Sequence, residues 1–595
     1  MVHPVKLLGP FSRLQERRSG PLILELDLTD GLAEEAPGDP LGQVLARRHQ
    51  QLRDVVEGIR RGAKDPRVKA LVARIDGRAL GFARVQEVRA AVSAFRAAGK
   101  DTVAWAESFG EFGPGTVPYY LACSFAEIAV VPTGSVGLTG LRVGTTFFGG
   151  AAERLGVRFE GGARHEYKNA PNQFTEQGFT EPHREITERL VESLSEQVAE
   201  GVAEGRGLST ERVRELIDSG PLLAAEALEA GLVDRLAYRD EVYTDLRARY
   251  APAAETGGDR DGAAEPAAAG EGSGRGGARL LYVGRYHHRA SMSERVPVRA
   301  GGYIALITAT GVITSGRSRR SALGGKSMGA DTVSAALRAA RRDRNVRAVV
   351  FRVDSRGGSA VASDVIRREV ALTREAGTPV IASLGDIAGS GGYYIVMDAD
   401  AIVTRPGTLT GSIGVYSGKP VLTGLLERLG ITNENVESGA HAAMFGPDRG
   451  FTESEWERVN AMLDNTYADF AGKVARARGL SAEQVDAVAR GRILTGRDAH
   501  DGGLVDDLGG LPAAVRLARE KAGLPAGRLR SFPAGAPWER LVPAESSEDR
   551  TAAPQQTAPE LAAALAGPGG LEDLAARAGL PSSAPLLVPG GWEVT

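Results

Sequence analysis

The residue in this chain best placed to act as a nucleophile is a serine set among glycines. Ile381-Ala-Ser-Leu-Gly-Asp-Ile-Ala-Gly-Ser-Gly-Gly-Tyr-Tyr-Ile395 predicts a strand, a tight Gly-Ser-Gly-Gly turn and then an apolar helix. Small neighbours leave Ser390 exposed at the turn, and the helix start supplies unpaired N–H groups and the positive end of a dipole. The N–H of Gly391 would then face an anion forming at a substrate carbonyl. The plain alternative is a Gly-rich connection with a capping serine. A second loop, Asp354-Ser-Arg-Gly-Gly-Ser359, follows the strand expected over 349–353. Its two glycines let backbone N–H groups come close to a ligand.

A serine nucleophile needs a group to take its proton. Histidine is the usual one, and His165 and His441 are the candidates, each of which also reads as an ordinary loop residue. A lysine serves equally if it is desolvated and its pKa falls toward neutrality. Lys168 follows a strand-like segment, in His165-Glu-Tyr-Lys-Asn-Ala-Pro171. What singles it out among the lysines is an internal repeat.

Asp65-Pro-Arg-Val-Lys-Ala-Leu-Val-Ala-Arg-Ile-Asp76 matches Asp343-Arg-Asn-Val-Arg-Ala-Val-Val-Phe-Arg-Val-Asp354 at an offset of 278 (354 − 76). Tyr119-Tyr120 and Glu153-Arg-Leu-Gly156 recur at an offset of 274, as Tyr393-Tyr394 and Glu427-Arg-Leu-Gly430. Gly207-Leu-Ser209 and Gly231-Leu-Val-Asp234 recur at 272. An offset this long, with drifts the size of loop insertions, indicates duplication of a whole domain. At offset 274, Ser390 corresponds to Thr116, followed by Pro118, and Lys168 corresponds to Ala442. The first copy also lacks the paired glycines, having Asp76-Gly-Arg-Ala-Leu80. One copy kept a base and the other a nucleophile, so a single site is expected to be assembled between them.

The elements that must hold these residues alternate. Residues 21–28, 69–75 and 102–106 read as strands, and 84–98, 190–202 and 210–217 as helices, a pattern of parallel βαβ units. The expected divisions are a leader over 1–20, a first repeat over 21–250, a linker over 251–300, a second repeat over 301–532 and a tail over 533–595. The linker and tail are rich in Ala, Gly and Pro and read as disordered, apart from a short helix over 571–578.

At 595 residues the chain has room for two to four domains, with 42% hydrophobic and 25% charged residues, as in globular proteins. A net charge of −3 argues against a nucleic-acid binder. The one cysteine, Cys123, excludes an intrachain disulfide and reads as a small buried residue. The N-terminus has no signal-peptide pattern, and no stretch approaches the roughly 20 apolar residues of a membrane span. A soluble protein, cytoplasmic or peripheral to the membrane, is expected. No His/Cys/Glu pattern suggests a metal. Gly324-Gly-Lys-Ser327 resembles the end of a phosphate loop, but its leading glycine is replaced by Arg320. No cofactor is expected.

Ser355-Arg-Gly-Gly-Ser359, Ala388-Gly-Ser-Gly-Gly-Tyr-Tyr394, Thr408-Leu-Thr-Gly-Ser-Ile-Gly414, Gly491-Arg-Ile-Leu-Thr-Gly496 and Gly503-Leu-Val-Asp506 occur in this order. With them the chain resembles the long, duplicated signal peptide peptidases of peptidase family S49, over residues 20–250 and 300–525. Arg356 and Asp354 stand where that family usually has Pro and Asn. The resemblance implies an α/β fold of tandem duplicated Clp-protease/crotonase-like domains and a serine endopeptidase acting on signal peptides or other short, unfolded peptides. It implies Ser390 as nucleophile, Lys168 as general base, Ser412 orienting the lysine, and the Gly357 and Gly391 N–H groups as oxyanion hole. Ser412 corresponds to Leu138 in the first copy, in line with one-sided decay. The resemblance also implies a homotetramer. An acyl-CoA enzyme of the crotonase kind would need no serine nucleophile, and an inactive scaffold would not need all three side chains.

Overall fold

The computed structural model describes residues 20–29, 31–34, 50–75, 80–110, 114–250, 278–293, 302–318, 327–524, 529–532, 586–587 and 593–594. The expected leader up to residue 19, loop 76–79, the linker over 251–277, residues 324–326 and the helix over 571–578 lie outside them.

The chain divides into two compact units. The first holds a six-stranded parallel sheet in the order Arg235–Leu236, Glu127–Val130, Asp101–Ala106, Val68–Arg74, Leu22–Asp27, Arg279–Tyr282. Its inner strands are apolar on both faces because helices cover both sides. Ile23, Val72, Val103 and Trp105 pack under Val242 and Leu246 of the helix Arg239–Arg249. Helix Leu52–Lys64 buries Leu52, Val55, Val56 and Ile59, the spacing of one helical face. Strand Arg279–Tyr282 and helix Val283–Ser293 fall inside the stretch expected as linker. Their apolar residues lie C-terminal to the Ala/Gly-rich run and add an edge strand to this sheet. Cys123 is buried here, and burial pushes its thiol up to about 11.

The second unit is built on a seven-stranded sheet. Its path is Ile493–Thr495, Leu409–Gly411, Val380–Gly389, Val346–Ser355, Tyr303–Thr310, Leu529–Ser531, with Ala401–Val403 also against Val380–Gly389. All pairings are parallel except that of Leu409–Gly411 with Ile493–Thr495. Helix Ala330–Arg342 packs in a core with Val349, Phe351 and Val353, and Leu511, Ala514 and Val515 of helix Gly510–Ala522 cover the other face. Both units therefore have the expected α/β construction.

The division does not follow the sequence repeat. Residues Leu141–Gln197, which carry Lys168, belong to the second compact unit. There Arg158–Arg164 pairs antiparallel with Val415–Val421 over seven positions, from Val415↔Arg164 to Val421↔Arg158. Helix Glu453–Arg478 backs this ribbon: Leu463 and Trp456 lie against Gly162, and the Arg164 guanidinium meets Asp464 at 2.5 Å. Among the described residues no helix is long and apolar enough to cross a membrane.

Candidate active site

Two strand registers bring three distant side chains together. Gly389 pairs with Gly411 in the main sheet, and the N–H of Ser390 donates to the Gly411 carbonyl at 2.8 Å. Ser390 and Ser412, each one residue past its strand, are therefore neighbours. Val415 pairs with Arg164 in the ribbon, so Ser412, three residues before one strand, faces Lys168, four residues after the other. Lys168 Nζ lies 2.8 Å from Ser390 Oγ, 3.0 Å from Ser412 Oγ and 3.1 Å from the Ser412 carbonyl.

The turns that present the serines are strained. Ser390 has φ 56° and Ser412 φ 49°, in the left-handed region that side chains seldom occupy. Such conformations cost on the order of 1–3 kcal/mol each and persist only where surrounding structure enforces them. Here the enforcing bonds are Ser390 N–H to Gly411, Tyr393 and Tyr394 N–H to the Ser390 carbonyl, and Ser412 N–H to the Arg492 carbonyl at 2.6 Å. The helix after Ser390 is a single turn, Gly391–Tyr394, anchored by Tyr393 Oη donating to the Leu504 carbonyl.

Contrary to the exposed turn expected from its small neighbours, Ser390 is 0% exposed, because the Gly357–Gly358 backbone packs against Gly391 beside it; Lys168 is 3% and Ser412 1% exposed. Burial lowers the lysine to about 7 from an ordinary 10.5, with no charged neighbour contributing. Taking an ammonium out of water disfavours its charged form. An amine in this setting is about half neutral at neutral pH, against about one in 3,000 for a solvated lysine.

The glycine loops meet beside Ser390. A Cβ on Gly391 would come within 2.8 Å of Ser363 Oγ and 3.1 Å of the Gly357 Cα and the Gly358 nitrogen, so the absence of a side chain lets these backbones approach closely. Gly391 opens its helix, so its N–H has no partner within it. Gly357, at φ 101°, donates its N–H to Ser355 Oγ at 3.1 Å, and Ser355 Oγ donates to the Gly311 carbonyl.

The two histidines lie elsewhere. His165 stands edge-on to Tyr467 with ring centroids 4.4 Å apart, and exposed His441 pairs with Ser454 Oγ at 3.2 Å. In the first unit, Thr116 donates its hydroxyl to the Gly140 carbonyl, and Leu138 is fully buried. Sequence reasoning did not assign a role to Gly491. A Cβ there would sit 2.4 Å from the Lys168 nitrogen and 2.7 Å from its Cα, and Gly491 has φ 91°. It is the seat against which the lysine backbone rests. Its place in the Gly491–Gly496 motif was the available signal.

The sequence profile described as Peptidase family S49 matches residues 94–251 and 373–525. These stretches begin 279 residues apart (373 − 94) and end 274 apart (525 − 251), close to the offset of the internal repeat. "Serine protease SPPA, chloroplastic" of Arabidopsis thaliana is 31% identical over 472 residues, which are 79% of this chain and 65% of that protein. "Protease 4" of Salmonella typhi is 30% identical over 537 residues, 87% of this chain and 81% of that one. Among solved structures, a ClpP1 mutant from Listeria monocytogenes aligns with 35% of this chain and 94% of its own, at 17% identity and a TM-score of 0.23, a likeness too slight to carry an argument. The profile covers both halves and the relatives align along most of the chain, so the chain belongs to peptidase family S49, a serine protease family, in the long form that carries the domain twice.

Proposed function

We propose that this protein is a serine endopeptidase working through a Ser390–Lys168 dyad by an acyl-enzyme mechanism. The observation that carries the reading is the 2.8 Å contact between Ser390 Oγ and a buried amine lowered to about 7. Neutral Lys168 accepts the Ser390 proton on its lone pair while its N–H groups hold Ser412 Oγ and the Ser412 carbonyl. Ser390 Oγ attacks the peptide carbonyl carbon. The oxyanion takes the Gly391 N–H and the Gly357 N–H, the latter giving up or sharing its bond to Ser355 Oγ. A donor of this kind is worth roughly 3–4 kcal/mol in the transition state. The C–N bond then breaks, and the lysine ammonium protonates the leaving amine. Water attacks the ester carbon as its proton passes to Lys168; the C–Oγ bond then breaks, the lysine ammonium returns that proton to Ser390 Oγ, and the acid product leaves. Ser412 holds the amine in line with Ser390 Oγ.

The proposed substrates are signal peptides or other short, unfolded peptides, and the proposed assembly is a homotetramer. The test is hydrolysis of a panel of fluorogenic peptides and unfolded casein by wild type, Ser390→Ala and Lys168→Ala, each checked for fold and assembly. Cleavage by wild type with both variants inactive is expected. Equal activity in Lys168→Ala would hand the base role to another group and end the dyad reading.

A further inference from the structure

Three consecutive residues, Arg490-Gly-Arg492, stand between Lys168 and Ser412. On one side they continue the pairing of Gly411 with Ile493: the Gly491 N–H donates to the Ile413 carbonyl at 2.8 Å, and the Arg492 carbonyl accepts the Ser412 N–H. On the other side they meet Glu166, Tyr167 and Lys168 residue by residue. Arg490 pairs with the Glu166 carboxylate at 2.9 Å. Gly491 lies against the Lys168 backbone. The Arg492 guanidinium covers the Tyr167 ring at 3.9 Å from its centroid and donates to the Asp486 carbonyl at 3.1 Å. Tyr167 is held at its far end by its hydroxyl, which donates to Glu185 at 2.8 Å.

The internal repeat separates contacts that serve the fold from contacts that go with the chemistry. The ion pair Arg478–Asp506 recurs in the first copy as Arg206–Asp234, and the bond from Tyr393 Oη to the Leu504 carbonyl recurs as Tyr119 Oη to Leu232. These survive in the copy that lost the serine. The contacts around Lys168 do not. At an offset of 272, Arg490-Gly-Arg492 corresponds to Asp218-Ser-Gly220, and at 274, Glu166-Tyr-Lys168 corresponds to Ala440-His-Ala442. Both sides of the contact were lost together with the counterparts of Ser390 and Lys168, the same complementary pattern that marks the dyad itself. We propose that Arg490 and Arg492 are positioning residues for the base: by clamping Glu166 and Tyr167 they hold the Lys168 amine against Ser390 and keep water from it. The proposal rests on the peptidase reading for its effect on rate. An ion pair about one-third exposed contributes little to stability, so its role here is to fix geometry.

The experiment measures kcat and KM for a fluorogenic peptide across pH, for the full-length wild type, Arg492→Ala, Arg490→Glu and the exchange variant Glu166→Arg, Arg490→Glu. Misplacing a reacting group by about an ångström costs on the order of 100-fold in rate, so kcat should fall about 10- to 100-fold in Arg492→Ala and Arg490→Glu with KM little changed. The midpoint of the rise in kcat/KM should move above the wild-type value of about 7, toward that of a solvated lysine. The charged groups facing this stretch are Glu166, Glu185, Asp486, Arg490, Arg492 and Asp464, with His165 before it. Burial alone lowers the amine, so a moved midpoint reports hydration of Lys168 and not a lost charge. The exchange variant restores the ion pair and should recover most of kcat and the midpoint. A fall in kcat with the midpoint unmoved and no recovery on exchange would make the arginines merely structural and overturn the proposal, as would an unchanged kcat. The partly exposed Arg490 variants cover the case in which Arg492→Ala fails to fold. A second readout needs no catalysis: the difference in thermal stability between Lys168→Met and its parent, at neutral pH and at pH about 10, in wild-type and Arg490→Glu backgrounds. A smaller change with pH in the Arg490→Glu background supports the clamp even if no protein hydrolyses peptide. An equal change in both backgrounds overturns it.

Discussion

Replacing Lys168 with methionine should abolish hydrolysis and stabilise the fold, with a pH dependence that identifies the cause. The lysine is lowered from 10.5 to about 7 in the folded protein by burial alone. Between those values the unfolded chain holds a proton that the folded chain lacks, so raising the pH stabilises the folded state. At neutral pH the mismatch costs the fold about 4 kcal/mol, falling to about 1 kcal/mol near pH 10, at about 1.4 kcal/mol per pH unit. Methionine keeps the length and apolar stem and never carries charge. Its own penalty is the loss of hydrogen bonds to Ser390 and Ser412, about 1–3 kcal/mol, which does not vary with pH. The difference in stability between variant and wild type should therefore favour the variant most at neutral pH and shrink by about 3 kcal/mol on going to pH 10. Other titrating groups, including the lowered Lys100 and Lys419, are present in both proteins and cancel in the difference. Paired calorimetric melts across this range read it out directly. A difference that stays constant with pH would refute a desolvated, uncharged Lys168.

Three further outcomes follow from the same geometry. Gly491→Ala places a methyl 2.4 Å from the Lys168 nitrogen at a φ of 91°, so it should cost activity by displacing the amine, seen as a fall in kcat larger than any change in KM. Ser412→Ala removes one of the three bonds to the amine and leaves the Ser412 carbonyl in place, so kcat should fall about 10- to 100-fold without loss of fold, as for one hydrogen bond to a charged group. In wild type, kcat/KM should rise with pH through about 7 as Lys168 loses its proton, and the rise should survive His165→Ala.

The meeting of Lys168 with Ser390 and Ser412 was legible because the duplication left a record in the chain. Ser390 could be read from its glycine neighbours, but Lys168 could not be picked from local spacing. The contrast of Lys168 with Ala442, and of Ser390 with Thr116, pointed to both. The residue that seats the lysine was hidden, because the closeness of Gly491 to Lys168 depends on a backbone approach between segments more than 300 residues apart in sequence. The compact-unit boundary was hidden for the same reason. A seven-position pairing between Arg158–Arg164 and Val415–Val421 places part of the first repeat in the second unit, and neither strand carries a mark of its partner. The strand and helix over 279–293 were masked by the Ala/Gly-rich run just before them. The strand Leu586–Leu587 was missed because Leu-Leu-Val between Pro585 and Pro589 has no period to detect and gains its pairing only from Gly357–Gly358.

The central claim is that Ser390 carries the acyl group and Lys168 generates its nucleophile. The most direct measurement is acid quench during turnover of a slowly deacylating peptide ester, followed by peptide mapping with mass spectrometry, on wild type and on folded Lys168→Ala. An acyl adduct on Ser390 in wild type, and none over the same interval in the variant, is the predicted result. An adduct on another residue, or equal Ser390 acylation without the lysine, would contradict it.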